Sequence, residues 1–135
     1  MGRRRRPVVL PAIATAFAVP LADGRYGACR VLRHTTADEE QLFGKTSCLV
    51  ACSAWVGETV PQVEHPSLRT ILQLTHHHWN GELGLLWVSR RQPDDFIEIG
   101  RIVPTEDEQS LCSMSGSWRA FRVQPYKQWL WEVRP

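Results

Sequence analysis

The sequence predicts a mainly β domain: a strongly bent antiparallel sheet or a small SH3-like barrel, carrying one or two short helices. Three observations carry that prediction. Short runs of Val, Ile, Leu, Phe, Trp and Tyr recur along the chain, each bounded by Gly, Pro, Asp or Ser. An Asp23-Gly24 pair separates two of these runs, as in a tight hairpin turn. Apolar residues at helical spacing are confined to stretches of a few turns. About six or seven strand candidates result, and a set of that size removes its exposed edges by bending or closing.

Residues 1–16 read as a flexible basic arm ahead of a single β-rich domain at 17–135. Arg3 to Arg6 followed by Val8-Val9-Leu10-Pro11-Ala12-Ile13 and Ala14-Thr15-Ala16 also imitate a secretory signal with its cleavage site. That is the alternative for the arm, and it leaves everything from Phe17 unchanged. Phe17 to Leu21 and Tyr26 to Leu32 then form a hairpin around Asp23-Gly24. Thr36 to Phe43 reads as a solvated turn or one short helix, with Gly44 suited to ending it. The run from Thr46 to Val56 is apolar on both alternating faces, which marks a central strand. Behind Pro66, the spacing of Leu68, Ile71 and Leu72 predicts a helix of two or three turns. Leu83 to Ser89 reads as a buried strand ending at Arg90-Arg91, and Phe96 to Val103 as a strand stopped by Pro104. Glu106-Asp107-Glu108 fits a solvated loop or a helix start. Around Gln124-Pro125, two last strands are expected at Trp118 to Val123 and Tyr126 to Val133, with Trp129, Trp131 and Val133 on one face by alternation.

Charge narrows the function classes. The chain has 16 Lys+Arg against 14 Asp+Glu, a formal +2, and four of the sixteen are the Arg3–Arg6 run, so the remainder carries 12 against 14, or −2. A fold that is faintly acidic lacks the broad positive footprint of most nucleic-acid binders. No stretch reaches the roughly 18 apolar residues of a membrane-spanning helix. The four cysteines are Cys29, Cys48, Cys52 and Cys112. Cys48 and Cys52 lie about 13 Å apart on an extended strand, at ~3.3 Å per residue. A disulfide spans no more than about 7 Å between Cα atoms, so these two do not pair with each other. Free buried thiols, as in a cytoplasmic protein, are expected. The His76-His77-His78 triplet cannot aim three rings at one ion, because adjacent residues diverge on strand and helix alike, so it is read as a polar loop and no metal is assigned. Cys48, Cys52 and Cys29 sit in apolar runs that disfavour a thiolate, Asp94 and Asp95 read as turn formers, and Gly81-Glu82-Leu83-Gly84 lacks the spacing and lysine of a phosphate loop. No catalytic residue and no cofactor are therefore assigned, and the chain is expected not to be an enzyme.

Aromatic and basic residues crowd the segment from Ser117 onward. There, Arg119, Arg122, Lys127 and Arg134 stand against Glu132, among Trp118, Phe121, Tyr126, Trp129 and Trp131. Trp129 and Trp131 are expected to close the core, since each ring buries on the order of 200 Å². Trp79, beside the histidines, reads as an exposed anchor. With Arg90, Arg91 and Asp95, placed at strand ends, it makes the expected partner-binding set.

The segment Phe17-Ala18-Val19-Pro20-Leu21-Ala22-Asp23-Gly24-Arg25-Tyr26-Gly27 resembles the opening hairpin of the immunity protein 26 family of bacterial polymorphic-toxin systems, which starts Phe-x-Ile-Pro-Leu-x-Asp-Gly-x-Tyr-Gly. Phe96-Ile97-Glu98-Ile99-Gly100 is similar to a later aromatic-x-x-Ile-Gly element of that family, and Trp87 suits its tryptophan-bearing strand. The likeness spans about half of the chain. Thr15-Ala16 stands where a Gly-Asp often precedes the first strand, and Cys29 where a glycine is common. The resemblance implies that Phe17, Pro20, Asp23, Gly24, Tyr26, Gly27 and Gly100 shape the fold. It also implies a non-enzymatic role, binding a cognate protein toxin in the cytoplasm, without membrane or nucleic acid as partner. A small nucleic-acid-binding or regulatory module using the C-terminal aromatics and the arginine arm is the alternative, and a thiol- or metal-dependent enzyme the third.

Overall fold

A computed structural model of the chain describes residues 9–76 and 79–133. Seven strands form among them: β1 (Thr15–Pro20), β2 (Tyr26–His34), β3 (Cys48–Cys52), β4 (Gln73–Leu74), β5 (Glu82–Leu83), β6 (Leu85–Val88) and β7 (Ile97–Arg101). The helices are α1 (Ala37–Phe43), α2 (Glu106–Gln109) and α3 (Ala120–Val133), with a single 3-10 turn at Pro66–Arg69. Five strands make one antiparallel sheet in the order β6-β3-β2-β1-β7, while β4 pairs with β5. The sheet is open, with β6 and β7 at its edges, so the chain adopts the bent-sheet form of the expected class rather than the barrel.

The β1–β2 hairpin forms where the sequence places it, with Phe17 opposite Cys29 and Val19 opposite Gly27. Its turn closes by a 2.8 Å bond from the Leu21 amide to the Arg25 carbonyl, and Gly24 takes the positive φ of 86° that the turn demands. Register shifts between Ala16 and Phe17, and between Val31 and Arg33, mark bulges that bend the sheet. Alternation then sorts the strand residues onto two faces. Phe17, Val19, Cys29, Val31, Cys48, Val50, Cys52 and Val88 face α3 and pack with Trp118 and Phe121. Leu32, Leu49, Ala51, Leu85 and Trp87 belong to the opposite face. Ala16 and Ala28 there meet Leu68 and Ile102 from the covering loops. Both faces of β3 are buried, which is why its sequence is apolar throughout.

α1 starts in a capping box between Thr36 and Glu39 and ends at Gly44, as its composition suggested. α2 has the same device between Thr105 and Glu108. Four expectations are corrected. The two strands expected at Trp118 to Val123 and Tyr126 to Val133 are instead the helix α3, which runs through Pro125. Phe121, Pro125 and Gln128 are its buried residues, a spacing of four and three that turns one stripe to the sheet. Pro125 removes one helical hydrogen bond, but its ring packs beside Gly27 and docking holds the helix together. Trp118 and Phe121 thus enter the core, while Trp129 and Trp131 stay half-buried. The helix expected behind Pro66 is one 3-10 turn, and Ile71 bridges to Ser53 instead. His76 is not in a polar loop; it is buried, and His77 and His78 lie outside the described residues. Finally, order begins before Phe17. Ala14 is buried, its amide donates to the Val31 carbonyl at 2.9 Å, and its own carbonyl accepts from Ile102 at 2.8 Å. The boundary at 16/17 therefore cuts through a hydrogen-bonded strand, and Leu10 packs on the core ahead of it. The Arg3–Arg6 run lies outside the described residues.

Candidate functional site

Between the first half of α3, the β4–β5 pair and edge strand β6 lies a pocket with about 420 Å³ of empty space, counting its open mouth. Gly84 brings these walls together. Its amide donates to the Leu72 carbonyl at 2.8 Å and its carbonyl accepts from the Cys52 amide at 2.7 Å. A Cβ at this position would stand only 3.1 Å from that of Cys52 and 3.4 Å from the Leu72 carbonyl oxygen, so glycine permits this close approach of the small sheet to β3. On the far side the segment around Met114 lies along β6, donating from the Gly116 amide to the Trp87 carbonyl at 2.9 Å and accepting from the Trp87 amide at 3.0 Å. Leu74, Trp79, Leu85, Leu86 and Phe121 form apolar walls, and Leu83 and Met114 stand exposed at the rim.

Three polar side chains belong to the lining, the half-buried Ser113 and Gln124 and the exposed Glu82. The Ser113 hydroxyl already donates to the Leu85 carbonyl at 2.7 Å. The Gln124 Oε1 is buried and accepts no hydrogen bond. Cys52 lies at the pocket floor, and burial pushes its thiol up to about 12, so it offers no nucleophile at neutral pH. Cys48 is pushed to about 12 by the same cause, and Cys29 is raised by burial and then by the neighbouring Cys52 and Cys48. All four cysteines are free thiols, three buried and Cys112 exposed, as the strand geometry required of Cys48 and Cys52.

The residues expected to meet a partner fall in two places. Trp79 is half-buried rather than exposed: it packs on the main core, tilts against His76 with ring centroids 6.4 Å apart, and walls the pocket. Arg90, Arg91 and Asp95 are exposed on the loop between β6 and β7. Arg91 pairs with Asp94 at 3.4 Å on the open surface, a contact worth little. Asp95 is engaged by both guanidinium nitrogens of Arg122 on α3, and those hydrogen bonds hold its carboxyl below the usual range. The same Arg122 lies over the Phe96 ring at 5.0 Å. This loop reaches the pocket wall through its backbone, since the Arg90 carbonyl accepts from Trp118 Nε1 at 2.8 Å and Trp118 packs on Phe121.

His76 donates from Nδ1 to Gln128 Oε1 at 2.9 Å, and the same oxygen accepts the Thr75 and His76 amides, which fixes the loop after β4 to α3. Among the described residues, no group of three or more His, Cys, Asp or Glu side chains is gathered to hold a metal ion. No described helix is long and apolar enough to cross a membrane. Leu83, Met114 and Gln124 were missed as site residues by sequence reasoning. Leu83 sat inside an expected buried strand, Gln124 inside an expected turn, and nothing in the sequence around Met114 sets it apart. No protein-family model, curated protein or solved structure matches this chain.

Proposed function

We propose that the chain is a bacterial immunity protein that neutralises a cognate toxin by protein–protein contact, in the cytoplasm of the cell that makes it. The observation that carries this reading is the open apolar pocket beside α3, whose rim leaves Leu83 and Met114 in water. Apolar side chains around a concave site suit an anchor residue of another protein, and a few such anchors supply most of an interface's affinity. The motif at Phe17–Gly27 and its likeness to an immunity family point the same way. Trp118 and Phe121, aromatics that a nucleic-acid-binding role would use for stacking, are buried in the core. No catalytic step is assigned to the buried thiols.

The test is to search the neighbouring genes for a toxin domain and to co-express the chain with it. Binding and rescue of growth are expected, and Leu83→Glu with Met114→Glu should weaken binding at least tenfold while the circular-dichroism spectrum stays unchanged. A gene neighbourhood with no toxin, or an affinity indifferent to both rim changes, would remove this function or this surface respectively.

A further inference from the structure

We propose that a second pocket, against the later turns of α3, is a site for a small quaternary ammonium compound of the choline type. It lies between the second half of α3 and the segment 54–56 that follows β3, and holds about 380 Å³ of empty space, counting its open mouth. It shares no lining residue with the pocket beside β6. Two half-buried indoles, Trp55 and Trp129, line it, with the exposed Glu132 carboxylate and carbon from Val56, Leu72 and Pro125. The two rings and the carboxylate are each positioned by a neighbour. A Cβ at Gly57 would run into the Trp55 ring, so glycine lets that ring lie against the backbone. The Arg25 guanidinium rests 3.9 Å from the centroid of the Trp129 ring, and Gln128 Nε2 donates to Glu132 Oε1 at 3.1 Å. Arg25 does not line the pocket, so it displays the attraction of this ring for a cation and leaves uncovered the part that faces the cavity.

The polar groups select the charge and the shape of the ligand. Among the described residues, Glu132 is the one charged group of the lining, and no Lys or Arg pairs with it. Gln128, also in the lining, is already committed. Its oxygen accepts from the Thr75 and His76 amides and from His76 Nδ1, and its nitrogen donates to Thr75 and Glu132. An anion would face the Glu132 carboxylate with no cationic side chain beside it. A primary ammonium brings three N–H groups to a pocket whose walls offer them a single carboxylate. A quaternary ammonium has no N–H to satisfy. Its methyl groups suit the indoles and the aliphatic wall, while its charge answers both the ring faces and Glu132.

The test is an NMR titration of the protein, at constant ionic strength, with choline and with its neutral analogue, in which a tert-butyl group replaces the trimethylammonium group. Choline should shift the indole N–H signals of Trp55 and Trp129 and bind about threefold to thirtyfold more tightly than the alcohol. Glu132→Gln, a change at an exposed position, should weaken choline about twofold to fivefold and leave the alcohol as it was. Equal affinities for the two ligands, a preference that Glu132→Gln leaves intact, or failure of both to bind would each overturn the proposal. Choline shifts that miss both indoles would do the same. The result is independent of the toxin experiment, since neither Leu83 nor Met114 lines this pocket.

Discussion

Arg30 places a guanidinium in the middle of a sheet face, where its side chain is 1% exposed. Such a charge persists only if its donors are matched. Nη1 donates to Glu108 Oε1 at 3.0 Å, Nη2 donates to the second carboxylate oxygen and to the Arg69 carbonyl at 2.7 Å, and Nε has no partner. Burial raises the Glu108 carboxyl, and the Arg30 and Thr105 hydrogen bonds outweigh it, so Glu108 sits below its ordinary value. The two partners are unequal, because Glu108 keeps 15% of its side chain in contact with water. Glu108→Gln should therefore destabilise more than Arg30→Met, on the order of 3–5 kcal/mol, because it strands the deeper charge and arginine cannot shed its proton. The double variant should recover part of the loss. Urea midpoints of the three variants check this, and strictly additive losses would show that the ion pair does not couple α2 to β2.

Cys29 and Cys52 face each other across β2 and β3, with Cys48 farther along β3 on the same side. Cys29, Cys48 and Cys52 are no more than 1% exposed, so a bulky reagent reaches them only when the surrounding structure opens. In the native protein an aromatic disulfide reagent should titrate the exposed Cys112 quickly, and the other three should react at the slower rate of local opening. Rapid release from more than one thiol would contradict the burial of β3. The elements that the sequence made legible share one property: their signal is local. The hairpin declared itself by its Asp-Gly turn, β3 by an unbroken apolar run, and α1 by its cap and Gly44. α3 was illegible because Pro125 and the alternation of Trp129 with Trp131 are local strand signals, overridden by packing of Phe121, Pro125 and Gln128 on a distant sheet. The pocket was illegible for the same reason, since its walls come from segments that only the tertiary fold assembles. Trp79, expected to be exposed, is half-buried because it packs on the main core.

Among the described residues, a five-stranded sheet is covered on both faces, with the β4–β5 pair beside it, and arginine–carboxylate pairs join covering pieces to the sheet or to one another. Glu39 on α1 meets Arg33 on β2 at 2.6 and 2.9 Å, Glu108 on α2 meets Arg30, and Asp95 meets Arg122 on α3. Each carboxylate is held below its ordinary value in the folded state; for Glu39 the Arg33 hydrogen bonds bring it to about 2. The unfolded chain then binds more protons than the folded one across this window, so the pairs stabilise fully above about pH 4.5 and their contribution fades as pH falls toward 2. The urea midpoint should drop over that interval, and Glu39→Gln should flatten part of the drop while leaving the slope above pH 6 unchanged. A midpoint independent of acid would mean that these contacts are not maintained in solution.

The strand order has a consequence for how the protein is born. β1 is extruded well before its outer neighbour β7, which sets Arg101 against Thr15, and the helix that covers Phe17 and Val31 comes later still. A ribosome adding on the order of 5–20 residues each second must therefore hold out a hairpin with a bare greasy face and an unpaired margin for several seconds. Throughout that interval the nascent chain is a natural client for chaperones, and pausing translation before residue 97 should prolong their association with it.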